Sequence, residues 1–404
     1  MNRIELLAPA GNLEKLKAAL IYGADAVYVG GREFSLRAFG DNFSDDDLIA
    51  GVEFTHALGK KIYAAVNVFA HNDDLDRLED YIAFLDRIGI DALLISDLGV
   101  FSIAKSIVRR AELHVSTQAN TTNWRAVNVW QKLGASRIVL ARELSFDEIR
   151  SIARHSTAEL EMFVHGAMCL SYSGRCWLSH YLTGRDGNQG KCTHSCRWKY
   201  ALVEEKRPNE YFPIGEDSRG AYVMNSKDLC LLPCLDNVLA SGVSSLKIEG
   251  RMKSVHYVAS TVKVYREAID AYLDDPEHFA IRAEWIEELD KTAHRPFTTG
   301  FFVEDRDGTM ISDRSKSDRT SEFLGIVREF DPSSGEALVE QRGKIEVGRV
   351  IEILRPRGAS FKQRLESMLD AEGNAIDAAP HAQQLVRIGL ERAVEPWSLL
   401  RTGD

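Results

Sequence analysis

The residues of this chain best suited to chemistry are its six cysteines, and all six fall between Cys169 and Cys234. They stand as Cys169 and Cys176, then Cys192 and Cys196, then Cys230 and Cys234. Cysteines scattered through the core of a 404-residue chain would not gather in one window. Soft thiolates on loops are ligands for Zn²⁺ or for an iron–sulfur cluster. The paired CxxC spacing of a zinc ribbon is absent, and long irregular gaps favour a cluster held by loops from different parts of a fold. Zinc is the alternative metal. Buried free cysteines or disulfides are the purely structural alternative.

The elements that must position these thiols alternate along the chain. The segment before Cys169 reads as a strand in which Leu160, Met162 and Val164 alternate with Glu161, Phe163 and His165. Six strands precede it, at 4–9, 25–30, 61–69, 91–97, 112–120 and 137–145, and an eighth lies at 244–251. Amphipathic helices separate them, with Asn12 and Ser44 as N-caps. Eight strand–helix units in about 275 residues predict a (β/α)₈ barrel of the TIM type. Apolar runs such as ALLI suit parallel strands covered on both faces. A doubly wound open sheet is the alternative. The expected division is residues 1–283 as barrel, with a Cys-rich insertion at about 166–234, and residues 284–404 as a helical linker and a small β-barrel or sandwich.

In such a barrel the functional side chains gather at the C-terminal ends of the strands. Those ends carry Asn67, Asp97, Gln118, Asn120, Arg142, Glu143, His165, Lys247, Glu249 and Arg251. All are expected to face one mouth, with the cysteines above it. His165, Glu249, Arg251 and Gln118 are the candidate catalytic groups. Each also has a structural reading. Asn67 and Gln118 suit hydrogen-bonded barrel polars, His165 could pair with Glu161, and Glu249 could be an ion-pair partner of Lys247 and Arg251.

The stretch from Glu161 to Ser179, EMFVHGAMCLSYSGRCWLS, closely resembles the signature of the collagenase-like peptidase family U32. The similarity runs from LAPAG at 7–11, through SLKIEGRMKS at 245–254, to HRPFTTGFF at 294–302. Within that family the pattern looks most like the tRNA hydroxylation proteins. The resemblance implies a 4Fe–4S cluster, prephenate as co-substrate, and 5-hydroxyuridine formation at the wobble position of tRNA. It implies Cys169, Cys176, Cys192 and Cys230 as cluster ligands; by spacing, Cys196 is the main substitute, since CX3C can also ligate, and Cys234, a helical turn from Cys230 in LCLLPCL, suits the core. A small anionic co-substrate would need cations at the mouth, for which Arg142 and Lys247 are candidates beside Arg251, with Asn67 as a further substrate contact. Arg197, Trp177, Tyr172 and Trp198 could hold unstacked bases. Family members also include peptidases, and relatives that act on rRNA or, in pairs, on quinones, so these activities are the alternatives. A homo-oligomer or a pair of family members is open. The peptidase reading finds no HExxH and no GxSxG, and would rest on Cys169 with His165 as its base.

Composition narrows the setting. The formal net charge is −10, so nucleic acid would have to meet a local basic patch. Lys191, Arg197, Lys199, Lys206 and Arg207 form one such group in sequence, and Lys247, Arg251 and Lys253 another. There is no apolar run suited to a signal peptide or a membrane span, which leads to the expectation of a cytoplasmic protein with reduced thiols and no membrane partner.

Overall fold

A computed structural model describes residues 4–35, 42–168, 172, 175–176, 178–195, 225–303 and 320–403, with short strands at 202–203, 211–212, 216–217, 220–221 and 310–311. The chain begins with β1 (Glu5–Pro9), α1 (Leu13–Ile21), β2 (Ala26–Val29) and α2 (Asp45–Ala57). It continues with β3 (Lys61–Val66), α3 (Leu75–Ile88), β4 (Ala92–Ile95), α4 (Leu98–Ile107), β5 (Glu112–Val115) and α5 (Trp124–Leu133). Then come β6 (Arg137–Val139), α6 (Phe146–His155), β7 (Glu159–Ala167), α7 (Leu178–Thr183), β8 (Asp228–Cys230) and α8 (Leu235–Ala240). The remainder of this body is β9 (Ser245–Ile248), α9 (Val255–Asp274), α10 (Ala283–Asp290) and β10 (Phe297–Thr298).

Local chemistry explains the helix starts. Asn12 accepts the Lys15 amide, and Ser44 and Asp47 cap each other's backbone amides at the head of α2. The strands pair in the order β9-β1-β2-β3-β4-β5-β6-β7, and β7 pairs with β9 to close a parallel barrel. This is the (β/α)₈ barrel expected from the sequence. The strands are shorter than their apolar runs. β3, β5, β6 and β9 stop at Val66, Val115, Val139 and Ile248, so Asn67, Gln118, Arg142 and Glu249 lie just beyond strand ends.

Two features were not anticipated. β8 runs antiparallel to the upper end of β7, with Cys230 opposite His165, and β10 pairs with β8. The expected boundary at 283/284 is also corrected. α10 packs on α9, β10 joins the barrel sheet, and Phe302 belongs to the barrel core. A change of periodicity after α9 marked a change of element type in the sequence, whereas packing on α9 and β8 keeps that segment with the barrel.

The C-terminal part is an antiparallel seven-stranded sheet between strands at Phe323–Asp331 and Leu399–Thr402, with its own apolar core. It docks on α1, α9 and α10. The Tyr22 hydroxyl lies 2.9 Å from the carbonyls of both Leu354 and Trp397. Arg401 is fully buried and donates to both Glu288 oxygens at 2.6 Å and to Glu352 at 3.0 Å. Removing one member of such a buried ionic group costs about 3–5 kcal/mol. No helix of the described residues is long and apolar enough to cross a membrane.

Candidate active site

Inside the barrel, under the mouth, lies a layer of charge. Glu161 is fully buried and accepts from Lys247 Nζ at 2.7 Å and from Arg137 at 3.3 Å. Arg137 also bonds Glu5 and Glu159, and the Ser245 hydroxyl reaches Glu5 at 2.9 Å. Burial alone would raise the Glu161 carboxyl, but Lys247 and Arg137 outweigh it and hold the pKa below the ordinary value. Lys247 Nζ also lies 4.5 Å from the Tyr28 ring centre. The expectation that Lys247 reaches an open mouth is therefore corrected: it is 4% exposed and tied downward to Glu161. An unpaired carboxylate in the barrel would be very costly, so the lysine answers Glu161 first.

The next layer forms the floor of the mouth. Arg142 donates to Glu249 at 3.0 Å and to the Ala167 carbonyl at 2.9 Å, and its guanidinium lies 3.8 Å from the Phe163 ring centre. Glu249 thus pairs with Arg142, a partner the sequence reading did not assign to it. Arg251 crosses the ends of β1 and β2. A Cβ at Gly30 would lie 1.8 Å from its Nη1, and one at Gly11 would lie 2.1 Å from its carbonyl oxygen. Gly11 of LAPAG and Gly30 are therefore the spaces into which the EGR arginine fits. Across the mouth, Asn67 Nδ2 donates to Gln118 Oε1 at 3.1 Å, and the Ser96 hydroxyl donates to the Asn67 carbonyl. Asn67, Gln118, Arg142, Glu249 and Arg251 are thus brought to one end of the barrel.

His165 is not at the mouth. The β7–β9 register shifts so that Lys247 pairs with Phe163 but Ile248 pairs with His165. The extra residue is a bulge at Val164, and a bulge of one residue turns the next side chain to the other face. His165 points at α9, among the rings of Tyr257, Tyr265 and Phe297, and is 1% exposed. Burial, with a further contribution from His294 and Lys253, pushes its imidazole down to about 3. The expectation of His165 as a mouth acid or base, or as the base for Cys169 in a peptidase, is corrected on this geometry. Strict alternation along β7 placed it with Glu161 and Phe163; the bulge moves it.

The described cysteines fall into two environments. Cys176 and Cys192 lie on the loops above the mouth and are half-buried. The sulfur of each accepts a backbone amide two residues on, Leu178 N to Cys176 Sγ and His194 N to Cys192 Sγ, both at 3.4 Å. Asn188 clamps Cys176. Its side chain accepts the Cys176 amide at 3.4 Å and donates to the Cys176 carbonyl at 3.2 Å, while its own carbonyl takes the Phe69 amide just past β3. Arg175 donates to the Gln118 carbonyl at 2.9 Å and lies 5.3 Å from the Phe69 ring centre. Arg175 and Asn188 escaped the sequence reading, although each lies within four residues of a cysteine.

Cys230 and Cys234 are buried in the barrel core. Cys230 Sγ lies 4.0 Å from the Tyr265 hydroxyl, and burial raises its thiol to about 11 and that of Cys234 to about 12. Cys169, Cys196, Trp177 and Arg197 lie outside the described residues. Among the described residues no group of three His, Cys, Asp or Glu side chains is placed to hold a metal. The donor chemistry at Cys176 and Cys192 nonetheless fits a metal or cluster, because both are soft sulfur donors, each meeting a backbone amide.

Comparison with known proteins identifies the lineage. Residues 11–312 match the Peptidase family U32 model and residues 319–401 match the Peptidase family U32 C-terminal domain. The chain belongs to peptidase family U32. The tRNA hydroxylation protein P1 of Bacillus subtilis (strain 168) is 43% identical over 99% of this chain and 94% of its own length. The tRNA hydroxylation protein P of Escherichia coli (strain K12) is 37% identical over 94% of this chain and 92% of its own. The 23S rRNA 5-hydroxycytidine C2501 synthase of Escherichia coli (strain K12) is 35% identical over 76% of this chain and 46% of its own.

Proposed function

We propose that this U32 protein is an RNA-modifying enzyme that hydroxylates tRNA, replacing the C5 hydrogen of the wobble uridine by a hydroxyl, with an iron–sulfur cluster and prephenate as co-substrate. The observation that carries the reading is the near full-length similarity, at 43% and 37% identity, to two proteins named for tRNA hydroxylation. The rRNA synthase resembles this chain over less than half of its own length, which favours tRNA over rRNA. The peptidase alternative has lost its base, since His165 is shut in an aromatic cage.

Cys169, Cys176, Cys192 and Cys230 would hold a 4Fe–4S cluster. Such a group supplies one-electron chemistry that side chains cannot. The chain's own residues do the rest. Asn188 fixes the Cys176 peptide, and the Leu178 and His194 amides steady the two loop sulfurs. Cys230 would give up its proton only to a metal, because its surroundings disfavour a free thiolate. Arg251 would draw a carboxylate of a small anionic co-substrate to the floor, and Arg142 would join it to the extent that it is shared with Glu249. Gln118 and Asn67 offer hydrogen bonds to the edge of a base.

The test is anaerobic purification of the wild type and of Cys169→Ala, with iron, sulfide and visible absorption measured. A coloured protein with about four irons per chain, bleached by the substitution, is the expected result. Transfer RNA from a strain deleted for the gene should then lack 5-hydroxyuridine. A colourless, iron-free protein and unchanged tRNA would overturn the proposal.

A further inference from the structure

The rim of the mouth carries large apolar side chains in water. Leu98 opens α4 directly after β4, Met252 follows the EGR turn, and Val303 follows Phe302, whose carbonyl accepts the first amide of α6. Helices of a (β/α)₈ barrel begin at the mouth, so these positions share one face. On the cysteine loops the same face adds Tyr172, 52% exposed, and Tyr181 with Leu182, the tyrosine 79% exposed. A tyrosine ring left largely in water, as that of Tyr181 is, adds little to the fold.

The two rings are exposed on a fixed backbone. The Tyr172 carbonyl accepts from Asn120 Nδ2 at 3.2 Å and from the Arg175 amide at 3.1 Å. α7, which carries Tyr181, starts where the Leu178 amide meets Cys176 Sγ. Its inward residue Ser179 is 2% exposed, and the Ser179 hydroxyl bonds the Arg185 carbonyl and takes the Thr193 amide. Ser179 thus ties the helix to the loop of Cys192. Charge completes the picture. Residues 175–195, which carry Tyr181, contain Arg175, Arg185 and Lys191 against Asp186 in a chain of net charge −10, while Glu143 and Glu148 act on the Tyr172 side.

We infer that Tyr172 and Tyr181 form a stacking platform for unpaired bases of a single-stranded RNA loop, with the neighbouring cations taking its phosphates. This rests on the RNA-modifying reading and names how the loop is held. Every base has a π-face, so rings of this kind hold flipped-out bases whatever their sequence, while local positive charge tracks the backbone. A second protein would suit the apolar rim, but the three cations of residues 175–195 in an acidic chain favour a polyanion at the Tyr181 end.

The experiment uses the full chain, purified with its iron, and two probes: an anticodon stem-loop RNA and a blunt RNA duplex of equal length. Tyr181→Ala and Tyr172→Ala should each weaken stem-loop binding about 5- to 100-fold and leave duplex binding unchanged. Tyr181→Phe, which keeps the ring, should bind within about twofold of wild type. Visible absorption equal to wild type in all three variants shows that fold and metal site persist. Wild-type affinity in both alanine variants overturns the inference, as does equal loss on loop and duplex. Changed self-association with unchanged RNA affinity assigns the rim to a second copy and overturns it too. A wild-type protein that binds no stem-loop RNA overturns the functional reading itself, and the inference with it.

Discussion

Cys176 and Cys192 stand in contrast to Cys230 and Cys234. The first pair sits in half-buried loops where backbone amides point at sulfur. The second pair is sealed in apolar core, where burial holds the proton on each thiol. Sequence spacing treats all four alike, yet backbone amides meet the sulfurs of the first pair, while burial disfavours charge on the second. If Cys230 is a cluster ligand, it is one that metal must deprotonate, and it would lend rigidity where the loop cysteines lend accessibility.

The largest expected effect separates the pairs by metal content. Cys176→Ser or Cys192→Ser should abolish the visible absorption and most bound iron while the barrel keeps its far-ultraviolet circular dichroism; retained iron in both would remove the loop pair from the site. Next comes the contrast within the core pair. Cys230→Ala should lose the cluster as well, whereas Cys234→Ala should keep it and cost about 1 kcal/mol in denaturant unfolding, the scale of a methyl-sized void. Cluster loss in Cys234→Ala alone would exchange the two roles.

A smaller effect is expected at the clamp. Asn188→Ala frees both ends of the Cys176 peptide, so the protein should load iron but lose it several-fold faster to a chelator. Decay at the wild-type rate would show that the clamp is idle. The smallest effect is on pH dependence. In the metal-free protein the thiols of Cys230 and Cys234 are raised to about 11 and about 12 from an ordinary value of 9.0. The folded chain therefore holds these protons more tightly than the unfolded one. That contribution to stability is intact below about pH 9 and is lost as pH rises through about 11 to 12. Melting of the Cys230→Ala, Cys234→Ala double variant should fall less steeply over that range than wild type, and parallel curves would sink the assignment.

Much of the architecture was legible. Eight apolar runs with capped helices between them specify a parallel barrel, because parallel strands covered on both faces leave a continuous apolar signal. Residues just past those runs then land at one end, as Asn67, Gln118, Arg142 and Glu249 do. His165 failed for a local reason. One bulge residue shifts the phase of a period-two pattern, and nothing in EMFVHGAMC marks it except Gly166, whose φ of +108° leaves no room for a side chain beside Glu249. Lys247 failed for a tertiary reason, since its partner Glu161 is 86 residues away in sequence.

By itself the sequence determined the alternation of strands and helices, the β-rich C-terminal part, the gathering of cysteines and the family. These follow from periodicity, turn chemistry and residue type, which are written locally. Only the tertiary structure decided which charges answer one another inside the barrel, that Arg251 lies against Gly11 and Gly30, and that four described cysteines divide into two environments. Burial and partnership depend on what the rest of the chain brings alongside, and the energies that separate a thiolate from a thiol, or a mouth residue from a core one, arise only there.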